Sequence, residues 1–238
     1  MTNNRDIPFG RPWITEDDRL AVLEVLKGHI LTHGPQGKGF EEDFVNFMGA
    51  GYSAALSSCT AALHLANLAL DLTPGDVAIV PSVTFLSTAN AALFTGAEVV
   101  FADVDPETGL MTPETFAEAL YRSNKRARVV CPVHLNGQAV DMQGVSKVTG
   151  FSELKVIEDA CHAILGKYKG QYAGKLGDFG CFSMHPLKNL NIWGDGGFVV
   201  IKKKKYYEKM LLLRNHGLIN REKNLIYGYN SRLDTIQA

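Results

Sequence analysis

The 238-residue sequence has few cysteines, no charge excess, no apolar run of membrane length and no glycine-rich nucleotide fingerprint. Cys59, Cys131, Cys161 and Cys181 are far apart and form no C-x-x-C pair. That spacing argues against a zinc site or a disulfide framework, and for buried free thiols in a reducing compartment. Twenty-four basic side chains stand against 25 acidic ones, so neither nucleic acid nor an anionic membrane is expected as a partner. The basic run Lys202 to Lys205 reads as a solvated helix start. Met1 to Gly10 lacks an apolar leader core and no segment is long and apolar enough to span a bilayer, so a cytoplasmic location is the expectation. No glycine occurs from Ser57 to Ala62, where a dinucleotide-binding oxidoreductase would carry G-x-G-x-x-G.

What is present fits one large domain, with 46% hydrophobic and 21% charged residues. Thr15 with Asp18 three residues on predicts a capped helix, in which Leu20, Leu23 and Leu26 recur until Gly28. A second helix follows the Gly34-Pro35 turn with Phe40, Phe44 and Phe47 on one face. Alternation then sets in. Strands are predicted at 54–57, 77–81, 98–104, 128–133, 154–158, 179–183 and 198–202. Helices begin at Thr60 and near Ser87, Pro113, Met142 and Lys204, and another is expected to start at Asp234. Strands this apolar, alternating with helices, predict an α/β fold with a mainly parallel sheet covered on both faces.

In such sheets ligands bind beyond the carboxyl ends of the strands, and the chemically suggestive residues lie there. Ser57-Ser58-Cys59-Thr60 leads from a strand into a helix whose start suits an anion. Thr84 and Phe85 follow the second strand, and Asp159 ends the V-I-E-D strand. Lys188 stands in an apolar turn after Phe179–Ser183. A desolvated lysine there is a candidate nucleophile toward carbonyls; a surface lysine lying along apolar neighbours is the plain alternative. Thr60 also fits a plain N-cap, Phe85 a core residue and Asp159 a cap. Taken together, a phosphate cradle, a ring stack, an anion and an amine are what a pyridoxal phosphate (PLP) enzyme requires.

From Pro8 to Ala238 the sequence resembles the DegT/DnrJ/StrS sugar aminotransferases. The motifs that carry this are G-P-Q-G-K-G-F-E-E-D-F at 34–44, S-S-C-T-A-A-L-H-L-A at 57–66 and P-S-V-T-F-L-S-T-A-N-A at 81–91. V-H-L-N-G-Q at 133–138, E-D-A-C-H-A-I-L-G at 158–166, C-F-S-M-H-P-L-K-N at 181–189 and G-Y-N-S-R-L-D-T-I-Q-A at 228–238 continue the series. The resemblance implies a three-layer α/β/α large domain of PLP-dependent transferase fold type I. Helices at 12–48, a core at about 52–202 and the start of a C-terminal part at 203–238 make up that domain, and the family's small C-terminal domain is expected to be missing.

It further implies a Schiff base between Lys188 and PLP, with Lys188 as acid/base, Asp159 on the pyridine nitrogen and His162 on the ring hydroxyl. Thr60, the Ala61 N–H and Ser183 would hold the phosphate, and Phe85 would lie on the ring. Asn230 would reach the site of a second subunit in a homodimer. His185 either orients the lysine turn or is an ordinary core histidine. The implied reaction moves an amino group, from a donor such as glutamate, to a nucleotide-linked keto sugar in amino-sugar or polysaccharide biosynthesis. Two other readings stay open: a non-catalytic PLP-binding relative or inactive fragment, and a sugar dehydratase, whose members replace this lysine by histidine. The exit L-N-I-W-G-D-G-G departs from the family's T-T-G-E-G-G, and Trp193 and Asp195 are expected to reshape the substrate pocket.

Overall fold

A computed structural model describes residues 10–124, 126–150 and 154–238. The leader reading at Met1 to Phe9 and the first residues of the resemblance, Pro8 and Phe9, lie outside the described residues. Seven strands form one sheet: β1 (Tyr52–Leu56), β2 (Val77–Pro81), β3 (Glu98–Ala102), β4 (Ala127–Val130), β5 (Lys155–Asp159), β8 (Phe179–Ser183) and β9 (Gly197–Ile201). Their order is β1-β9-β8-β5-β4-β2-β3. All neighbours are parallel except at β9, which runs antiparallel to both β1 and β8.

The helices cover both faces. α3 (Cys59–Ala69), α4 (Leu86–Leu93) and α7 (Lys204–Leu213) pack on Ala54, Leu56, Ala78, Val80, Val199 and Ile201. On the other face α5 (Pro113–Arg122) and α6 (Met142–Thr149) cover Ile79, Ala102 and Val130, while α2 (Pro35–Met48) covers Ala55, Phe198 and Val200. Successive strand residues thus feed opposite cores, as the two-residue side-chain period of a strand demands. Among the described residues no helix is long and apolar enough to cross a membrane, and all four cysteines are free.

Several expected boundaries move for physical reasons. The strand expected to run to Val133 ends at Val130: Pro132 has no N–H for the ladder, and only an isolated bridge, Val133 to Asp159, continues the pairing. The helix expected from Asp234 is a single 3-10 turn, Thr235–Gln237. A hairpin, β6 (Lys167–Tyr168) and β7 (Gln171–Tyr172), adds to the expected set. Its two-residue turn puts Lys169 at φ 49 and Gly170 at φ 82, the left-handed pair of a type I′ turn. α1 (Glu16–Lys27) has the expected capping box at Thr15 and Asp18 and ends against Gly28. However, it buries no residue: Leu20, Leu23 and Leu26 are each more than half exposed.

Candidate active site

The strand ends β1, β5 and β8 converge on a cavity of about 580 Å³. Thr60, Phe85, Asp159, His162, Ser183 and Lys188 all line it, with Ser58, Ser87, Asn136, His185 and Asp195. A larger groove of about 720 Å³ runs between α1 and residues 189–193. It holds none of the residues expected to touch the cofactor, and its carboxylates are engaged locally, Asp18 with Thr15 and Glu24 with Lys27, so the chemistry points to the smaller cavity.

Lys188 leaves β8 through a tight turn. Its N–H donates to the His185 carbonyl at 2.8 Å, and His185 Nδ1 accepts from the Leu187 N–H at 3.2 Å. His185 therefore orients the lysine turn through its own ring, one of the two readings that the sequence left open. The Lys188 Nζ lies 2.7 Å from His162 Nε2. His162 Nδ1 in turn accepts from the Asn136 N–H at 3.2 Å. Burial holds the His162 ring below the usual histidine range, the Lys188 charge adds to that, and Asp159 partly opposes it.

Asp159, at the end of β5, is buried. Its Oδ2 accepts from the Thr88 hydroxyl at 2.8 Å and its Oδ1 from the Cys161 N–H at 3.2 Å. The Thr88 hydroxyl has one proton and gives it to Asp159, so at the 2.7 Å contact with Thr84 it accepts. Burial first, then the Asp159 charge, raises the thiols of Cys59, Cys131, Cys161 and Cys181 above the usual range. These thiols are packing groups, poor in thiolate.

The α3 start forms one wall. Ser58 caps it, its Oγ accepting from the Ala61 N–H at 3.0 Å. The Ala61 N–H, expected to be free for an anion, is thus engaged within the helix. Among the described residues no acceptor meets the N–H of Cys59 or Thr60, and the Thr60 hydroxyl pairs with Ser87 at 2.8 Å. Gly197 permits this wall to close on β9: a Cβ there would stand 2.4 Å from the Cys59 nitrogen. Phe85 sits at the rim, 71% exposed. Asn230 does not join the cavity; it is exposed and its Oδ1 accepts from Arg232 Nε at 3.1 Å. Asp195 lines the cavity with Lys188, whereas Trp193 lines the larger groove.

Sequence reasoning missed Ser87, Thr88 and Asn136 as site residues. For Thr88 a signal existed: it stands one helical turn beyond Thr84 in the P-S-V-T-F-L-S-T motif. The pairing of Asn136 with His162 carried no such signal, because a tertiary contact 26 residues apart in sequence creates it.

The set has the chemistry to hold an anionic, ring-shaped carbonyl compound: an amine, a buried carboxylate, two free helix-start N–H groups with hydroxyls, and an aromatic rim. Residues 12–238 match the DegT/DnrJ/EryC1/StrS aminotransferase family. The chain is 42% identical to a UDP-N-acetyl-3-dehydro-alpha-D-glucosamine 3-aminotransferase of Acidithiobacillus ferrooxidans, over all of this chain and 65% of that protein. It is 38% identical to the spore coat polysaccharide biosynthesis protein SpsC of Bacillus subtilis, over 90% of this chain and 54% of that protein. The structure of NtdA from Bacillus subtilis, solved with its cofactor PMP, superimposes with a TM-score of 0.87 at 32% identity, covering 98% of this chain and 55% of that one. The chain thus spans between about half and two thirds of the length of these relatives.

Proposed function

The chain belongs to the DegT/DnrJ/EryC1/StrS aminotransferase family, and on that premise we propose that this cavity binds PLP and serves amino transfer to a keto sugar. The observation that carries the reading is the Lys188 amine, 2.7 Å from His162 and in one cavity with the buried Asp159 carboxylate. The amino donor is glutamate, and the acceptor is a nucleotide-linked keto sugar.

Lys188 would hold the cofactor through Nζ, and its amine, when free, would move a proton at the substrate carbon. Asp159, held by Thr88 and the Cys161 N–H, keeps a proton on the ring nitrogen. Thr60 and Ser183 hydroxyls, with the N–H groups of Cys59 and Thr60, hold the phosphate at the α3 start. Phe85 closes the rim, and His162 orients the lysine. When bound, PLP supplies the electron sink that the side chains of this chain lack. Asp195 lines the same cavity, and a carboxylate there suits the hydroxyl groups of a sugar. The chain works as a homodimer, with exposed Asn230 and Tyr229 on the surface that meets the second copy; sedimentation of the purified protein as a monomer with cofactor bound would remove this part.

The test is the visible spectrum of the chain with added PLP, followed by borohydride reduction and peptide mapping. We expect an absorbance band and a pyridoxyl group fixed at Lys188. Label scattered over surface lysines would overturn the cofactor assignment. Glutamate-dependent conversion of the cofactor to its amine form then separates an aminotransferase from a protein that only binds PLP.

A further inference from the structure

Directly behind the candidate site lies a polar pair that the proposed reaction does not use. His134 and Glu158 have wholly buried side chains, and His134 Nε2 lies 2.8 Å from Glu158 Oε2. The Glu158 carboxylate also accepts N–H groups from Gly174 at 2.8 Å, Leu176 at 2.6 Å and Gly177 at 2.5 Å. With four donors on two oxygens, this carboxylate is saturated and fixed. The orientation of His134 is fixed too, because its Nδ1 accepts from the Val140 N–H at 3.1 Å and Nε2 is left as the donor to Glu158.

His134 and Val140 bracket a short turn, Leu135–Gly137. Within it the Gly137 N–H bonds back to the His134 carbonyl at 3.2 Å and the Gln138 N–H to the Leu135 carbonyl at 3.0 Å. Asn136 is left-handed, at φ 54 and ψ 21. A non-glycine residue keeps that conformation only where its surroundings over-determine it, and here the two ends of the turn are tied to one buried ring. The constrained turn delivers the Asn136 N–H to His162 Nδ1 at 3.2 Å, and His162 Nε2 faces Lys188 Nζ. A ring nitrogen that accepts an N–H carries no proton of its own, so a neutral His162 has its proton on Nε2.

We propose that the His134–Glu158 pair is a positioning device for the candidate site. It holds the 134–140 turn so that Asn136 occupies His162 Nδ1, which fixes the His162 proton on Nε2, pointed at Lys188 Nζ. The bearing on amino transfer rests on the proposed function; the tautomer itself does not.

The experiment is nitrogen NMR of the whole chain carrying isotope-labelled histidine, without cofactor, with the His162 signals assigned by their loss in His162→Gln. The wild type is expected to show the Nε2–H tautomer near neutral pH. His134→Gln keeps a donor for Glu158 but removes the acceptor for Val140, and is expected to populate the Nδ1–H form. Because the Asn136 N–H opposes protonation of the ring, the His162 titration midpoint should then rise by roughly half to one pH unit, the size of one lost hydrogen bond. The charged groups facing His162, Lys188 and Asp159, are the same in both proteins. An Nδ1–H tautomer in the wild type, or a folded His134→Gln with unchanged tautomer and midpoint, overturns the proposal. Should His134→Gln not fold, Gly137→Ala replaces it. A Cβ at Gly137 meets the His162 carbonyl at 3.2 Å with φ at 86, which moves the turn, and unchanged His162 signals there overturn the proposal equally. No arm uses PLP, so failure here is distinct from failure of the cofactor reading.

Discussion

The Asp159 carboxylate accepts a hydrogen bond from the Thr88 hydroxyl, and that bond is open to test. Thr88→Val keeps the shape and deletes the donor, and should cost about 1.5–3 kcal/mol, as for other hydrogen bonds to charged groups. A denaturant midpoint measures it, and cofactor affinity should fall with it. The histidines make a second prediction. Burial is the leading cause that lowers His33, His64 and His162 from their ordinary value of 6.5. Below that value the unfolded chain takes up protons that these rings refuse in the folded state, so stability falls as pH drops beneath 6.5 and is level in this respect above it. Asp18, Asp105 and Asp141, lowered from 3.8, act in the same direction only nearer that lower pH. Thermal melts across the mildly acidic range check the sign, and a melting temperature that rises on acidification through 6.5 contradicts it. Lys188 and Asp159 were legible in the sequence because each follows an apolar strand in an α/β pattern. The contact of His162 with Lys188 was not, since packing, not local spacing, brings β5 and the β8 exit together.

α1 draws its stability from its own ends. The Thr15–Asp18 capping box closes it, and no side chain on it is buried. Thr15→Ala should therefore loosen α1 by about 1 kcal/mol, which quickens amide exchange along it about fivefold while the global unfolding midpoint stays put. A shift of that midpoint would mean that α1 unfolds with the core. At the opposite extreme, a Cβ on Gly180 of β8 would stand 1.9 Å from the Gly174 carbonyl oxygen. Backbone against backbone cannot yield, so Gly180→Ala should cost more than about 3 kcal/mol or prevent folding, as a melt would register. The long elements could be read from the sequence because apolar periodicity and caps are local signals. The hairpin at 167–172 escaped because two-residue strands have no period, although Lys169-Gly170 is its turn signature. The exposure of the α1 leucines escaped for another reason: periodicity reports an apolar face without saying what covers it.

At the scale of the molecule, Arg214 ties the layers together. Its guanidinium meets Glu41 of α2 at 2.5 Å and the Ala55 carbonyl of β1 at 2.8 Å, while Glu41 accepts the Ala55 N–H at 2.8 Å. Arg214→Leu strands the mostly buried Glu41 charge and should destabilise the fold by about 3–5 kcal/mol. The double variant with Glu41→Gln should recover part of that loss, and a purely additive pair would count against the coupling. The sheet order has a kinetic meaning as well. β1 pairs with β9 in the register Tyr52 to Ile201, so a ribosome must add roughly 150 residues before the first strand meets its neighbour. Until then the strands from Val77 to Ser183 can assemble alone, while β1 waits with both edges bare. Pairing so distant along the chain favours slow, late closure of the sheet, and β9 is the strand whose arrival completes it.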